Sequence, residues 1–167
     1  MAGALIVNAE IGQADFGWLE GLRRAHYPPE RNRVPAHLTM FHALPPSAES
    51  EVRSRLAGLA KGRAPRAAIE GIMDLGGGLA FRVVSPDLDR IRGELAEELR
   101  GLLGAQDSGG WRPHVTIQNK VAPKVARALK SSLEMEFRPR PLAISGLGLY
   151  RYLDGPWEQL ATYSFRG

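Results

Sequence analysis

The sequence predicts an α+β fold of two similar halves, each an antiparallel sheet with helices on one side, the two facing across a central cleft. Three observations lead there. A His-x-Thr signature occurs twice, at His37-Leu38-Thr39-Met40 and His114-Val115-Thr116-Ile117. Around each copy the apolar periodicity changes in the same order: strand, helix, signature strand, helix, strands. Glycine and proline clusters separate these segments where the chain must turn. Four histidines and three threonines in 167 residues would give only about 0.07 such tripeptides by chance, so the pair reads as a motif.

Ala4 to Ile11 reads as the first strand, compact and apolar at its start. Met1 to Val7 lacks the basic region and small-residue cleavage site of a signal peptide, so none is expected. Asp15 offers an N-cap for a helix with Trp18, Leu19 and Leu22 on its apolar stripe. It should end near His26, because Pro28 and Pro29 cannot continue it. Tyr27 to Val34 has no periodicity and is expected to be a mobile loop that delivers Arg31 and Arg33 near the first signature strand. These arginines suit the steering of a phosphate-bearing chain, and suit a solvated loop equally well.

The first signature strand is expected from His37 to Leu44. Strict alternation puts His37, Thr39 and Phe41 on one face, with Leu38, Met40, His42 and Leu44 on the other. His42 is out of phase with the signature and is read, like His26, as structural. After Pro45-Pro46 a helix carries Val52, Leu56 and Leu59. Ala67 to Leu75 and Leu79 to Val84 then form a hairpin around Gly76-Gly77-Gly78. These glycines match neither nucleotide-loop pattern and lead into a strand, so no ATP or dinucleotide site is expected there.

Ser85-Pro86-Asp87 has the chemistry of a helix start, and Leu88, Ile91, Leu95, Leu99 and Leu102 follow on one face. Gly104 to Gly110 reads as a loop. The second signature strand, Arg112 to Val121, places His114, Thr116, Gln118 and Lys120 on one polar face. Pro123 opens a helix with Val125, Leu129 and Leu133 as its apolar positions. A closing hairpin of Leu142 to Tyr152 and Gln159 to Phe165 turns at Asp154-Gly155. Tyr150 and Tyr152 on it are assigned to packing, with base stacking as the other reading.

Composition narrows the function. The length suits one buried core, and 44% hydrophobic with 24% charged residues is the balance of a soluble globular chain. With no cysteine, disulfides, thiolate nucleophiles and thiolate metal sites are excluded, and a reducing cytoplasm fits. No apolar run is long enough for a membrane span. A net charge of +4 suits an anionic ligand.

Two imidazoles with a free-solution pKa near 6.5 can share acid and base work near neutral pH, and two threonine hydroxyls can donate to phosphate oxygens. The doubled motif, with Pro35-Ala36 and Arg112-Pro113 before it, resembles the paired H-x-T/S motif of the 2H phosphoesterase superfamily, in its 2'-5' RNA ligase or RNA 2',3'-cyclic phosphodiesterase branch. The resemblance runs along nearly the whole chain and implies pseudo-symmetric lobes, one bilobal domain over residues 1–167. It implies metal-independent opening of 2',3'-cyclic phosphates, at RNA ends or on small nucleotides, to a 2'-phosphate, with reversible 2'-5' ligation as the counterpart. His37 would be the proton donor, His114 the acceptor, and Thr39 with Thr116 the phosphate clamp. Phe41, Gln118, Lys120, Arg31 and Arg33 are the candidate substrate contacts. No cofactor and no metal are expected, and a cytoplasmic monomer is. The alternative is a non-catalytic module that keeps the cleft and holds phosphate or RNA without turnover. Many relatives follow the second motif with arginine or glycine; Gln118-Asn119-Lys120 stands there in this chain, so substrate preference does not transfer.

Overall fold

β1 (Leu5–Ile11) is apolar at every position from Leu5 to Val7 because both of its faces are covered, and residues 5 to 9 are all buried. α1 (Gln13–His26) follows, then a 3-10 turn at Pro29–Arg31, β2 (Leu38–Leu44) and α2 (Glu49–Leu59). The hairpin β3 (Arg66–Asp74) and β4 (Leu79–Val84) leads to α3 (Pro86–Glu98), a short α4 (Ala105–Ser108) and β5 (His114–Gln118). α5 (Pro123–Glu136), β6 (Arg140–Tyr152) and β7 (Trp157–Ser164) complete the chain. This computed structural model describes residues 3–167; Met1 and Ala2, the first residues of the opening segment, lie outside them.

The architecture is α+β, with every strand pair antiparallel. The sheet runs β2-β1-β6-β3-β4-β5, with β7 also on β6. β6 is the joint between the halves. Its first residues, Arg140 to Ala143, pair with β3, while Ile144 to Arg151 pair with β1 and Gly146 to Tyr152 with β7. The signature strands β2 and β5 are therefore the two ends of the path. α1 packs on β5, α3 on β3 and α2 meets β7. Buried residues from both halves form one continuous core, from Leu5 and Val7 through Phe81 and Val115 to Leu149.

Several local expectations hold for the reasons given. Ser85 caps α3, its Oγ accepting from the Leu88 N–H at 3.0 Å, and Pro86 opens the helix. The glycine run is a hairpin turn with Gly76 at φ +86°, and Asp154 and Gly155 turn the last hairpin in the positive-φ region.

Others are corrected. Gly12 occupies the N-cap of α1, and Asp15 sits inside the first turn, where its carboxylate accepts from the Ala143 N–H at 2.8 Å and from Arg140 at 3.1 Å. On α5, Leu129 and Leu133 pack against the core as expected, but Ala126, three residues before Leu129, takes the buried place and Val125 is 45% exposed. The 104–110 segment holds α4, whose Asp107 is buried and accepts from the backbone N–H groups of His42 (2.7 Å) and Ala43 (2.9 Å). That carboxylate also meets His42 Nδ1 at 3.2 Å, which gives His42 its structural role. The Tyr27 to Val34 segment is anchored, since Asn32 Oδ1 accepts from Arg23 Nε at 2.8 Å.

Candidate active site

An edge strand leaves a row of carbonyls without a partner, and both signature strands are edges. Side chains from the other half take these carbonyls up. Trp111, just before β5, donates its indole N–H to the Thr39 carbonyl at 3.0 Å, and Arg92 of α3 donates to that of Met40 at 3.1 Å. At the other end, buried Arg23 of α1 donates to the Thr116 carbonyl at 2.9 Å. Buried backbone acceptors are costly to leave unpaired, so these three contacts hold the two edges beside each other. His37 consequently feels the charges of Arg23 and His114.

The two histidines are held alike. His37 stands one residue before β2 and His114 opens β5. Nδ1 of His37 lies 2.8 Å from the Pro35 carbonyl, and Nδ1 of His114 lies 2.7 Å from that of Arg112. A carbonyl can only accept, so Nδ1 carries the proton in both rings and Nε2 is left for chemistry. Two different dipeptides, Pro35-Ala36 and Arg112-Pro113, turn the chain to give one geometry. Thr39 and Thr116, both half-buried, lie two residues on, each on the face of its own histidine.

The surroundings of the rings differ. The Trp157 ring packs on His37 with centroids 4.6 Å apart. Burial, with the nearby positive charge of Arg23, pushes the His37 imidazole down to about 4. A cavity of about 690 Å³ opens beside His37, between β1, β6, β7 and the 33–37 segment. His114 instead has Arg82 directly opposite it on β4 and on the same face, with the exposed guanidinium turned away over Gly71 of β3, where it donates to the Glu70 carbonyl at 3.4 Å. A larger cavity, about 1120 Å³, lies under Trp18, Phe81 and Phe137 and contains neither signature histidine.

The remaining sequence candidates divide. Arg33 lines the cavity beside His37, whereas Arg31 is exposed and does not reach it. Phe41 is corrected. β2 carries an extra residue, because Val7 pairs with Phe41 and Asn8 with Thr39, so Met40 has no partner of its own. The bulge reverses the phase and turns Phe41 into the core, 0% exposed, with the Arg92 guanidinium 4.6 Å from its ring centroid. Phe41→Ala should therefore cost about 3–5 kcal/mol of stability, read by urea unfolding, as expected for a core aromatic. A loss below about 1 kcal/mol would restore Phe41 to the surface.

Gln118 and Lys120 are corrected too. β5 ends at Gln118, whose side chain is 2% exposed and lies out of the open groove. Lys120 is exposed at φ +64°, in a turn closed by the Val121 N–H on the Gly77 carbonyl at 3.0 Å, and no longer shares the strand's face. Sequence reasoning missed Arg23, Arg82, Trp111 and Trp157. It also missed Asn8 and Glu10, whose signal was present: two polar residues at period two inside an apolar strand.

The antiparallel α+β fold is that of the 2H phosphoesterases. The family model described as the 2'-5' RNA ligase superfamily matches residues 12–156, and the chain belongs to that family. No curated protein gives a significant match. Among solved structures, TT0787 of Thermus thermophilus is 18% identical with a TM-score of 0.65, covering 98% of each chain. Apo LigT of E. coli is 15% identical with a TM-score of 0.65, covering 100% of this chain and 99% of its own. LigT complexed with NADP+ is 16% identical with a TM-score of 0.63, and 99% of each chain is covered. At such identities the likeness shows the fold.

Proposed function

We propose that the protein is a metal-independent phosphodiesterase that opens 2',3'-cyclic phosphates, at RNA ends or on small nucleotides, to a 2'-phosphate, and that an RNA 5'-hydroxyl in place of water would give reversible 2'-5' ligation. It would act as a monomeric, bilobal unit over residues 1–167 in the cytoplasm; among the described residues no helix is long and apolar enough to cross a membrane. The observation that carries the reading is the matched pair of imidazoles, each with Nδ1 tied to the carbonyl two residues upstream and Nε2 free. LigT, of the same fold, has been crystallised with NADP+, 3'-AMP and phosphate, which supports a nucleotide phosphate as the ligand class.

In the proposed reaction a water oxygen attacks phosphorus and the P–O3' bond breaks. One imidazole takes the water proton on Nε2, and the other gives its Nε2 proton to the departing 3'-oxygen. Thr39 and Thr116 donate to the non-bridging oxygens as negative charge grows on them. The family resemblance gives His37 the donor's part. A ring held near 4 is neutral at pH 7, so keeping a proton there needs a negative charge beside it, and a bound phosphate supplies one.

The reaction needs one proton on the pair, and the two limbs of a pH profile belong to the pair rather than to either ring. Below the lower limb both rings are protonated and the acceptor is lost; above the upper limb both are neutral and the donor is lost. We expect EDTA-resistant turnover of 2',3'-cyclic AMP and of a short RNA with a cyclic phosphate end, releasing a 2'-phosphate. The acid limb of kcat/KM should fall near 4 and not near the free-histidine value of about 6.5. Zinc-restored activity after chelation, or no turnover of either substrate, would overturn the proposal.

A further inference from the structure

We infer that the cavity beside His37 is a nucleobase pocket that selects guanine, reading its N1–H and N2–H donors with the Glu10 carboxylate and the Asn8 side-chain oxygen. The inference rests on the reading that the histidine pair takes nucleoside phosphates.

Asn8 and Glu10 lie two apart on β1 and so share a face. Asn8 pairs with Thr39 on β2 and Gly148 on β6, which puts its side chain beside the signature strand. Both residues line the 690 Å³ cavity together with His37, Tyr150, Trp157 and Gln159. This volume falls within the range of about 300–1,000 Å³ usual for small-ligand sites.

The wall of the cavity is aromatic and its back is a set of acceptors. The Trp157 ring lies 4.6 Å from that of His37 and 5.8 Å from that of Tyr150, tilted 60° and 53° against them, so a faceted aromatic wall runs from the His37 imidazole towards Glu10. The Tyr150 hydroxyl donates to Glu10 Oε1, which fixes the carboxyl and leaves Oε2 to face a ligand. Asn8 is 2% exposed, yet its Oδ1 has no hydrogen-bond partner. A buried acceptor without a donor costs about 1–3 kcal/mol, and because Oδ1 is closed to solvent a ligand N–H removes that cost only by drawing the Asn8 side chain towards the cavity. Gly148 makes the arrangement possible, because a Cβ there would stand 2.5 Å from Glu10 Oε1 and 2.8 Å from the Tyr150 ring. Burial also raises the Glu10 carboxyl above its ordinary range, so the group gains from donors that bring it back to the charged form.

Guanine is the base that offers two adjacent donors on one edge. Adenine and cytosine offer one amino group next to a ring-nitrogen acceptor, which opposes a carboxylate. Uracil presents carbonyl oxygens on both sides of its single N–H. A site built to satisfy donors rejects ligands that lack them, because its own polar groups then stay unpaired.

The test is equilibrium binding of 3'-GMP, 3'-AMP, 3'-CMP and 3'-UMP, measured by calorimetry on wild type, Glu10→Gln and Tyr150→Phe, beside turnover of the four 2',3'-cyclic nucleotides. We expect 3'-GMP to bind about tenfold tighter than 3'-UMP. Glu10→Gln should bring that ratio close to one, and Tyr150→Phe, which keeps the ring but frees the carboxyl, should reduce it. Wild-type affinities within twofold of one another, no measurable binding of any of the four, or an unchanged ratio in both variants would overturn the pocket. The two proposals fail separately. Guanine-selective binding without turnover of any cyclic nucleotide removes the phosphodiesterase and keeps the pocket, whereas equal turnover and equal binding of all four do the reverse.

Discussion

On the proposed function, His37→Ala and His114→Ala should each lower kcat on a 2',3'-cyclic nucleotide by about 10³-fold, the usual scale for removing one positioned acid or base. The reason is the shared proton. With either ring gone, the other still has its Nδ1 tied to a backbone carbonyl, but water or the 3'-oxygen must then exchange its proton with solvent. Groups that act as one unit are not additive, so the double variant should be only slightly slower than either single one. Each variant also loses one Nδ1–carbonyl bond, and His37→Ala its packing on Trp157, so unfolding should show a loss of about 1 kcal/mol with the fold retained. A loss of less than tenfold in either variant, with the fold intact, would remove that histidine from the chemistry.

The second large effect lies in a glycine. An added Cβ at Gly78 would stand 1.9 Å from the Gln118 carbonyl oxygen, backbone against backbone, with no flexible side chain to yield. β4 and β5 would have to separate where Leu79 pairs with Gln118, on the strand that opens with His114. Gly78→Ala should therefore cost about 3 kcal/mol or more in urea unfolding and lower activity with it. Gly76→Ala is the control. It has nothing within 4 Å of its Cβ position, and only its φ of +86° is strained, so it should cost about 1 kcal/mol. Equal small costs for both would mean that β4 and β5 can part freely at this point.

What could be read from the sequence follows from how local its cause is. Strand β1, the hairpin at the three glycines, the Ser85 cap and the last hairpin all declare themselves through period, cap and turn chemistry within a few residues. Both histidines and both threonines were visible because the motif is doubled. Phe41 was misplaced because a bulge depends on what β1 offers opposite it, which alternation along β2 does not contain. Gln118 was misplaced because Leu79 pairs with it while Ala80 pairs with Thr116, a bulge at Ile117 that reverses the phase, and Lys120 because β5 stops at Gln118, where the glycine run crosses it. Arg23, Trp111 and Arg92 reach across between 52 and 93 residues of sequence to the carbonyls they cap, and no local pattern marks such partners. Arg82 was unreadable for a related reason, since its place opposite His114 is set by the register of β4 on β5.

β6 runs unbroken from Arg140 to Tyr152 and belongs to both halves of the sheet. A shared strand is not a hinge. Two bodies joined by a flexible linker can open and shut like jaws, but here the spacing of the two imidazoles is set by a continuous hydrogen-bonded ribbon and by the side chains that tie the opposite edges. On the proposed function such a molecule would work as a fixed gauge: a phosphate group of the right width would meet both Nε2 atoms on arrival, and little of its binding energy would go into domain closure.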